Sequence, residues 1–503
     1  MKFRRLLAVM LCLILCMGVL SMLTSCGQEN KNAISVNTNK TYQTMEGFGA
    51  SAAWWAQDVG GWSEQTENGK ETRQEILELL YGENGIGLDI YRYNLGAGAK
   101  TEDTSDYSDP WRKTRSFITP DGSIDYSLDA NAVWCMQKAV ELGTKNVVFF
   151  SNSAPNTMTI NGKTHSDADE TRLDYVDDDG NNVYFSKPNL DASEYQNFAN
   201  YVLDAVEHFL SLGVPVKAVS PINEPQWAWQ GGQEGCHYEP DEVVALYKVF
   251  LSEMQARNLT QTTELSMFES GQPFGDTLKR YLDAIMDDKD LSKAINSMDT
   301  HSYWGTAEQK EKTAKYLNWH YRELAVRCTE WTEMVNGKDV TMDSALVLAN
   351  TMLEDLTILD AESWSYWIAV SAYDYRDGLI YVDRDAHTYE TTKRLYTMGN
   401  FSKFIEPGAV RIGATVGKNL PVSSVAFDCG DTVAVVVVNS AEKEQQFAVS
   451  FPRKATFKSV TAYVTDNEHN LDSVGTVAYT ENGSYTVSAQ SVTTFVFEKS
   501  TAQ

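Results

Sequence analysis

Two glutamates that follow apolar runs are the first candidates for chemistry in this sequence. Glu224 lies in SPINEPQWAWQGGQEG, residues 220–235, and Glu330 lies in RCTEWTEM, 106 residues later along the chain. Two carboxyl groups can divide acid–base work, because one can hold a proton while the other is ionised. Cleavage of a glycosidic bond needs such a pair, since one group protonates the leaving oxygen while the other attacks the anomeric carbon or activates water.

Tryptophans gather around the same polar stretches. Pyranose rings present C–H faces that pack well on indole, so this clustering suits a carbohydrate cleft better than a phosphate or peptide site. A single tryptophan in a folded protein is as often part of the core, so only the group as a whole indicates a cleft. Its members are Trp54, Trp55, Trp227, Trp229, Trp304, Trp331 and Trp364.

Four other ionisable residues end neighbouring apolar runs. Glu333 and Glu269 are the alternatives to Glu330 as the second carboxyl group, although Glu333 is better explained as a loop or helix-start residue. Arg92 and His301 can orient the carboxylates, because nearby positive charge stabilises an ionised carboxyl group. The alternative for both is a polar network in the core.

The elements that must position these residues are short apolar runs alternating with helical sequence. DASEYQNFANYVLDAVEHFLSLG, from residue 191, has apolar residues at helical spacing, and the apolar run VPVKAVSPIN follows it. Counting such units from GFGAS near residue 47 gives about eight. This order favours an α/β fold, a (β/α)8 TIM barrel, with an open doubly wound sheet as the alternative.

In such a barrel the carboxyl ends of the strands converge on one open face, where active sites lie. Glu224 follows the fourth predicted strand and Glu330 ends the seventh, so their side chains can face each other across the mouth. Pro225 restricts the residue before it, which predicts an extended backbone for Glu224.

The sequence changes character after residue 400. The segments TVAVVVVNS, QFAVSF, VTAYVTD and YTVSAQSVTTFVFEK are β-rich and alternating. They predict a C-terminal antiparallel β-sandwich side domain over residues 401–503, after a catalytic barrel over residues 45–400. Residues 26–44 are interpreted as a tether and an N-terminal strand, AISVNTNKTYQ, that joins the β-domain.

The first 25 residues have the composition of an export signal. Basic residues precede an apolar run that is too short and wrongly flanked for a membrane span. LTSC, residues 23–26, resembles a bacterial lipobox, in which cleavage leaves Cys26 as an acylated N-terminus. We expect a cell-surface lipoprotein anchored at Cys26, with plain secretion as the alternative, and membrane contact only through that anchor.

The net charge and the cysteine content limit which binding partners and disulfides the sequence predicts. The net charge of -27 becomes -30 when residues 1–25, with three positive charges, are removed, and this acidity argues against nucleic acid. The acidic run DDDGNN, residues 177–182, lacks the ligand spacing of a calcium loop, so neither a metal nor a cofactor is predicted. We expect a monomer with a polysaccharide or oligosaccharide substrate. Sequence does not assign disulfides among Cys135, Cys236, Cys328 and Cys429.

The motifs in their order resemble those of glycoside hydrolase family 30 over residues 45–499. They are MEGFGASAAWWA, LDIYRYNLGAG, SNSAPNTM, INEPQW, DTHSYW, TEW and YWIAV, followed by KRLYTMGNFSKFIEPGAVRI and SVTTFVF. Each motif alone is weak, whereas their shared order and spacing are specific. The resemblance implies a retaining hydrolase with a (β/α)8 barrel and a β-sandwich side domain.

By this resemblance Glu224 is the general acid/base and Glu330 is the nucleophile. The two carboxyl groups are then expected about 5–5.5 Å apart. The resemblance also implies that Asn223 donates to the sugar 2-hydroxyl and that Tyr303 contacts the nucleophile.

Two motifs, GFGASAAWWA and NEPQWAWQGGQEGC, are most similar to the endo-β-1,6-galactanase branch of the family. Xylanases, β-1,6-glucanases and glucosylceramidases share the catalytic pair, and single cleft contacts change specificity by only a few kcal/mol. An exo-acting enzyme on galactosyl, fucosyl or glucosyl linkages is therefore the main alternative. A surface glycan-binding lipoprotein without turnover is the alternative from another class.

Overall fold

The structure is a computed structural model of the chain. The predicted export signal, Cys26 and part of the acidic run 177–182 lie outside the described residues. Among the described residues, no helix is both long and apolar enough to cross a membrane. The described cysteines Cys135, Cys236, Cys328 and Cys429 are free thiols. The residues described are 32–99, 108–176, 180–452, 455–481 and 483–500.

Parallel strands form a closed barrel. The first described strand, β1 (Ala33–Thr44), belongs to the C-terminal sheet. The barrel strands of the described residues are β2 (Gly47–Ser51), β3 (Ile90–Asn94), β4 (Asn146–Phe150), β7 (Val216–Ser220), β8 (Glu264–Leu265), β9 (Ser297–His301), β10 (Ala325–Glu330) and β11 (Ser363–Tyr366). They pair in the order β8, β7, β4, β3, β2, β11, β10, β9, and Ser270 pairs with Thr300 to close the ring. The predicted (β/α)8 TIM barrel is confirmed.

Helices cover the outside of the barrel. Those described are α1 (Ala56–Val59), α2 (Thr72–Tyr81), α3 (Ala130–Leu142), α4 (Tyr195–Ser211), α5 (Pro240–Ala256), α6 (Gly275–Asp287), α7 (Leu291–Ala294), α8 (Ala307–His320), α9 (Met342–Ile358) and α10 (Lys393–Ser402). In α4 the apolar face predicted from the sequence is buried, including Phe198 and Phe209. Gly213, with φ of 84°, then turns the chain toward β7, a conformation that glycine adopts without strain.

Two insertions follow barrel strands. A hairpin of β5 (Ala168–Val176) and β6 (Asn182–Ser186) follows β4, and the short strands β12 (Val370–Ser371), β13 (Ile380–Asp383) and β14 (Thr388–Thr391) follow β11. Loops after barrel strands lie on the carboxyl-terminal face, so both insertions border the mouth of the barrel. Nε2 of Gln230 donates to the carbonyl of Tyr184 at 2.7 Å, which ties the hairpin to the segment after Glu224.

The C-terminal domain is a bent, mainly antiparallel sheet. Besides β1 it contains β15 (Val410–Val416), β16 (Ser423–Asp428), β17 (Thr432–Asn439), β18 (Gln445–Ser450), β19 (Phe457–Thr465), β20 (Asn470–Ala478), β21 (Ser484–Val487) and β22 (Ser491–Lys499). Strand β1 lies between β15 and β18. Phe447 of β18 faces Phe495 of β22 across an apolar core, with ring centroids 5.9 Å apart. The predicted β-sandwich is confirmed.

Helix α10 joins the barrel to the sandwich, crossing the predicted boundary at residue 400. Asn400 is fully buried, and its Nδ2 donates to the carbonyl of Tyr463 at 3.0 Å and to Oγ1 of Thr494 at 3.2 Å. Thr494 Oγ1 in turn donates to the carbonyl of Asn400 at 2.5 Å. One side chain therefore links the last barrel helix to β19 and β22.

We expect Asn400→Ala to lower the free energy of unfolding by about 1–3 kcal/mol, because the carbonyl of Tyr463 and the buried hydroxyl of Thr494 each lose a hydrogen-bond donor. Urea denaturation followed by circular dichroism measures the change. Asn197→Ala, at an exposed position of α4, is the matched control and should leave stability nearly unchanged. Equal midpoints for all three proteins would show that the link contributes nothing.

Candidate active site

Polar residues from four barrel units meet on the carboxyl-terminal face. Arg92 lies in β3, His301 is the last residue of β9 and Glu330 is the last residue of β10. Asn223 and Glu224 follow β7. All five side chains are buried, so their charges and hydrogen bonds must be satisfied by one another or by a ligand.

Glu330 is held by hydrogen bonds at both carboxyl oxygens. Nη1 of Arg92 donates to Oε2 at 2.8 Å, and the hydroxyl of Tyr303 donates to Oε1 at 2.9 Å. Donors of this kind stabilise the ionised form and fix its orientation. Glu330 therefore presents a carboxyl group of fixed orientation at the mouth of the barrel.

Glu224 lies across from Glu330, with His301 between them. Nδ1 of His301 is 2.8 Å from Oε1 of Glu224 and 3.4 Å from Oε1 of Glu330. One side-chain ligand atom from each of the three residues lies within 4.8 Å of the others. So short a separation of two carboxyl groups suits direct attack by one of them on an anomeric carbon, because little room is left for a water molecule.

The backbone of Glu224 differs from the predicted extended conformation, because its φ is 46°. Its N–H donates to the carbonyl of Glu269 at 2.7 Å, and its carbonyl accepts from Nε1 of Trp229 at 2.9 Å. A left-handed conformation at such a residue costs about 1–3 kcal/mol. These two contacts override the local preference imposed by Pro225.

A third carboxylate, Glu269, completes the cluster. Nη2 of Arg92 donates to Oε2 of Glu269 at 2.8 Å and to Oδ1 of Asn223 at 3.1 Å. Nε2 of His301 lies 3.3 Å from the same Oε2. Glu269 is thus the counterion of two cations rather than the alternative second carboxyl group considered above. Because Oδ1 of Asn223 faces Arg92, its amide N–H groups remain for a ligand in the cleft.

Burial disfavours the charged form of each of these side chains, and the neighbouring charges decide which side chains are ionised. Burial acts to raise the pKa of Glu269, but Arg92 and His301 outweigh it and lower that pKa to about 2. Burial acts to lower the pKa of His301, but Glu330 and Glu224 raise it to about 10. Burial raises the pKa of Glu330 above its usual range, against the attraction of His301 and Arg92. At neutral pH, Glu269 is ionised, and Arg92 and His301 are both positively charged.

The donor set of Glu224, His301 and Glu330 is compact enough for a metal ion in geometry alone. An imidazole that carries a proton on each ring nitrogen has no lone pair to give to a metal. Since both ring nitrogens of His301 lie against carboxylates, the imidazolium itself supplies the positive charge at this position.

A cleft of about 310 Å³ opens over Glu224 and Glu330. Trp227 and Trp304 meet at its wall with ring centroids 6.0 Å apart, and Trp304 is 57% exposed. Indole faces beside a pair of carboxyl groups suit the C–H faces of a sugar. The predicted contact residues that line the cleft are Asn223, Trp227, Trp229, Tyr303 and Trp304.

Four of the predicted tryptophans occupy other positions. Trp55 and Trp364 are fully buried, and their indole N–H groups donate to Ser51 and Asp355, so neither can contact a sugar. Trp331 is buried against Trp364, with ring centroids 6.1 Å apart. The prediction of sugar contact is wrong for Trp55 and Trp364, because tryptophans near strand ends also fill the layer between barrel and helices.

Trp54 is buried behind the wall of the cleft. Its ring meets Trp367 edge to face at 5.0 Å, and Trp367 lines the cleft in its place. The motif YWIAV contains Trp367, but nothing in its sequence distinguishes this residue from the core tryptophan Trp364. The other lining residues that the sequence analysis missed are Asn152, Gln233 and Met334.

Glycines allow the segments around Glu224 to approach closely. A Cβ at Gly271 would lie 2.2 Å from Nε1 of Trp227 and 2.7 Å from Oε1 of Glu224. A Cβ at Gly235 would lie 2.4 Å from the ring of Trp229. The absence of side chains at these two positions therefore allows Glu224, Trp227 and Trp229 to lie where they do.

Known proteins share this architecture. The chain matches the model of O-glycosyl hydrolase family 30 over residues 31–381 and the family 30 β-sandwich domain over residues 408–495. A conserved exported protein from Bacteroides fragilis has the same fold, with a TM-score of 0.78, 23% sequence identity, and coverage of 92% of this chain and 100% of that one.

Two curated relatives match much of the chain. An endo-β-1,6-galactanase of Hypocrea rufa is 24% identical, covering 86% of this chain and 86% of its own length. Glucuronoxylanase XynC of Bacillus subtilis is 25% identical, covering 65% of this chain and 71% of its own. The two family models together match most of the chain, and its fold is a barrel and a sandwich with a pair of carboxyl groups in the cleft. The chain therefore belongs to glycoside hydrolase family 30 and is an O-glycoside hydrolase.

Proposed function

We propose that the protein is a retaining endo-β-1,6-galactanase in which Glu224 is the general acid/base and Glu330 the nucleophile. The observation that carries the mechanism is the unequal environment of the two carboxyl groups. Glu330 accepts hydrogen bonds at both oxygens from Arg92 and Tyr303, whereas His301 contacts Glu224 at Oε1. The second oxygen of Glu224 is thus available to carry a proton.

In the first step Glu330 attacks the anomeric carbon while Glu224 protonates the departing glycosidic oxygen. The electron pair of the C–O bond leaves with that oxygen, and a glycosyl ester forms on Glu330. As the negative charge of Glu330 passes into the ester bond, Arg92 and Tyr303 hold the carboxyl group in line.

In the second step water enters from the side of Glu224, which now accepts a proton from it. The resulting hydroxide attacks the anomeric carbon, the ester bond breaks, and Glu330 leaves as a carboxylate. Two inversions give net retention. Asn223 supports both steps, because Arg92 orients its amide so that N–H groups can reach the 2-hydroxyl of the bound sugar.

The choice of β-1,6-galactan rests on the motifs around the cleft and on the galactanase of Hypocrea rufa. The tryptophans after Glu224 that the sequence analysis assigned to this branch, Trp227 and Trp229, do line the cleft. An exo-acting family 30 enzyme, or one acting on xylan, β-1,6-glucan or glucosylceramide, is the alternative. A binding protein without turnover is disfavoured because both carboxyl groups are present and held in place.

We also propose that the protein is exported and anchored by lipid at Cys26. The basic start, short apolar run and lipobox-like LTSC support this placement. A surface anchor fits an enzyme whose substrate is an external polysaccharide too large to enter the cell. Radiolabelled fatty acid incorporated by the native protein, and lost in Cys26→Ser, would test it.

Glu330→Gln should lower hydrolysis on the order of 10⁴-fold or more, because an amide cannot form the glycosyl ester. Glu224→Gln should lower polysaccharide hydrolysis about 10²–10⁴-fold, yet affect an aryl glycoside much less, because a phenolate leaves without protonation. Initial rates on both substrates measure the split. The matched control, Glu333→Gln, removes a carboxylate that pairs instead with Arg376. Equal losses for all three variants would contradict the assigned roles.

Soluble residues 27–503 should release short β-1,6-galacto-oligosaccharides from β-1,6-galactan. The same protein is incubated with β-1,3-galactan, glucuronoxylan and β-1,6-glucan, and products are separated by chromatography beside Glu330→Gln. Products from another polymer would keep the mechanism and reject galactan. Polysaccharide binding without products from any of them would favour the exo-acting or non-catalytic alternatives.

Trp304→Ala should raise KM about 10-fold or more, with a smaller change in kcat, because an exposed indole at the cleft wall contributes mainly to sugar binding. Steady-state kinetics on the preferred polysaccharide measures it. Trp319→Ala is the control, since Trp319 is 85% exposed on α8 and is not among the cleft-lining residues. A lower kcat at unchanged KM would assign Trp304 to the chemical step instead.

A further inference from the structure

Glu269 is a charged group of the cluster to which the proposed reaction assigns no step. It lines a cavity of about 410 Å³ inside the barrel, together with Asp299 and Arg327, whereas Glu224 and Glu330 line the cleft. The Glu269 side chain is fully buried. From the barrel interior it cannot touch a sugar in the cleft, so any role in catalysis must act through its neighbours.

Both cations of the cluster divide their donors between Glu269 and the catalytic pair. Arg92 gives Nη2 to Glu269 at 2.8 Å and Nη1 to Glu330 at 2.8 Å. His301 has Nε2 3.3 Å from Glu269 and Nδ1 2.8 Å from Glu224. Glu269 thus contacts one nitrogen each of Arg92 and His301, and this contact directs their other nitrogens toward Glu330 and Glu224.

We propose that Glu269 is a positioning residue that sets how many protons the Glu224–Glu330 pair holds, an inference that rests on the proposed function. Arg92 and His301 supply two positive charges and Glu269 one negative charge, which leaves one positive charge facing the pair. A buried cluster favours neutrality, because isolated charge is costly away from water. The pair neutralises this remaining positive charge when one carboxyl group is ionised and the other is protonated. This is the protonation state that the first step requires.

Asp299 and Arg327 line the same cavity as Glu269 but make their hydrogen bonds outside the cluster of Arg92 and His301. Asp299 of β9 accepts from Oγ of Ser297 at 2.7 Å, and burial raises its pKa to about 6 against the attraction of Arg327, whose guanidinium bonds to Glu46 and Glu264. Burial raises the pKa of Tyr247 of α5 well above its usual value, so this hydroxyl stays neutral. Glu46, Glu264 and Lys217 also line this cavity, and the charges of Glu269 and Glu330 repel each other.

Glu269→Gln removes the negative charge at nearly constant shape and leaves two positive charges facing the pair. The Glu224–Glu330 pair then loses its one proton more readily. The protonated carboxyl group that the first step needs is therefore lost at a lower pH than in the wild type. We expect both limbs of the pH profile of kcat/KM to move toward acid by about 1–3 pH units. Glu269→Asp, which keeps the charge, should keep the limbs near their wild-type positions even if kcat falls. Glu333→Gln, a buried carboxylate outside the cluster, should shift neither limb.

The titration of His301 gives a readout that needs no substrate. In protein labelled at histidine Cε1, NMR should show the His301 imidazolium persisting above pH 8 in the wild type, and losing its proton at lower pH in Glu269→Gln. The signal is assigned by its loss in His301→Gln. If Glu269→Gln does not fold, the wild-type titration and the profile of Glu269→Asp carry the test.

The outcomes separate this inference from the proposed function. Shifted limbs and a shifted His301 titration support the role of Glu269. A uniform loss of kcat/KM with unmoved limbs, a His301 titration indifferent to Glu269, or a neutral His301 at pH 7 in the wild type would overturn it. Failure of the wild type on every polysaccharide would count against the galactanase proposal alone, because the NMR result stands without turnover.

Discussion

The active site depends on one buried guanidinium. Arg92 stands over the ring of Phe150, 3.7 Å from its centroid, and bonds to Glu330, Glu269 and Asn223, which come from three other barrel units. A buried charge without partners costs several kcal/mol, so these groups are stable only together. The planar fork of arginine suits this task, since it donates in fixed directions to several acceptors at once. The cluster is therefore both the candidate catalytic centre and a cross-link of the barrel.

The barrel is built around this polar centre instead of the usual packed layers of branched aliphatic residues. Ser266, Asp299, Arg327 and Thr329 line a cavity inside it. Apolar burial is supplied elsewhere, between strands and outer helices and within the sandwich. Strand β8 is also only two residues long, because the chain beyond it departs to bring Glu269 and Ser270 into bridges with Asn223 and Thr300. The sheet is therefore irregular at the position that brings Glu269 to the cluster.

Several features of the site follow from local sequence, and others do not. Periodicity placed Arg92, His301 and Glu330 at strand ends, and the barrel rule then brought them to one face. The same rule failed for Trp55 and Trp364, because position near a strand end does not say whether a ring points to the cleft or to the helix layer. Glu269 was underrated for a related reason: in sequence it is one more glutamate after an apolar run. The role proposed for it rests on its distances to Arg92 and His301.

By itself the sequence determined the alternation of strands and helices, the β-rich C-terminal segment, the family resemblance and the two glutamates proposed for catalysis, because period, turn residues and motif order are local properties. Tertiary structure alone decided the left-handed backbone of Glu224, the charge of Glu269 and which tryptophans line the cleft. These depend on contacts between residues far apart in the chain, such as the 2.7 Å bond from the N–H of Glu224 to the carbonyl of Glu269. The ionisation state and the orientation of each side chain at a buried site depend on the other side chains that contact it.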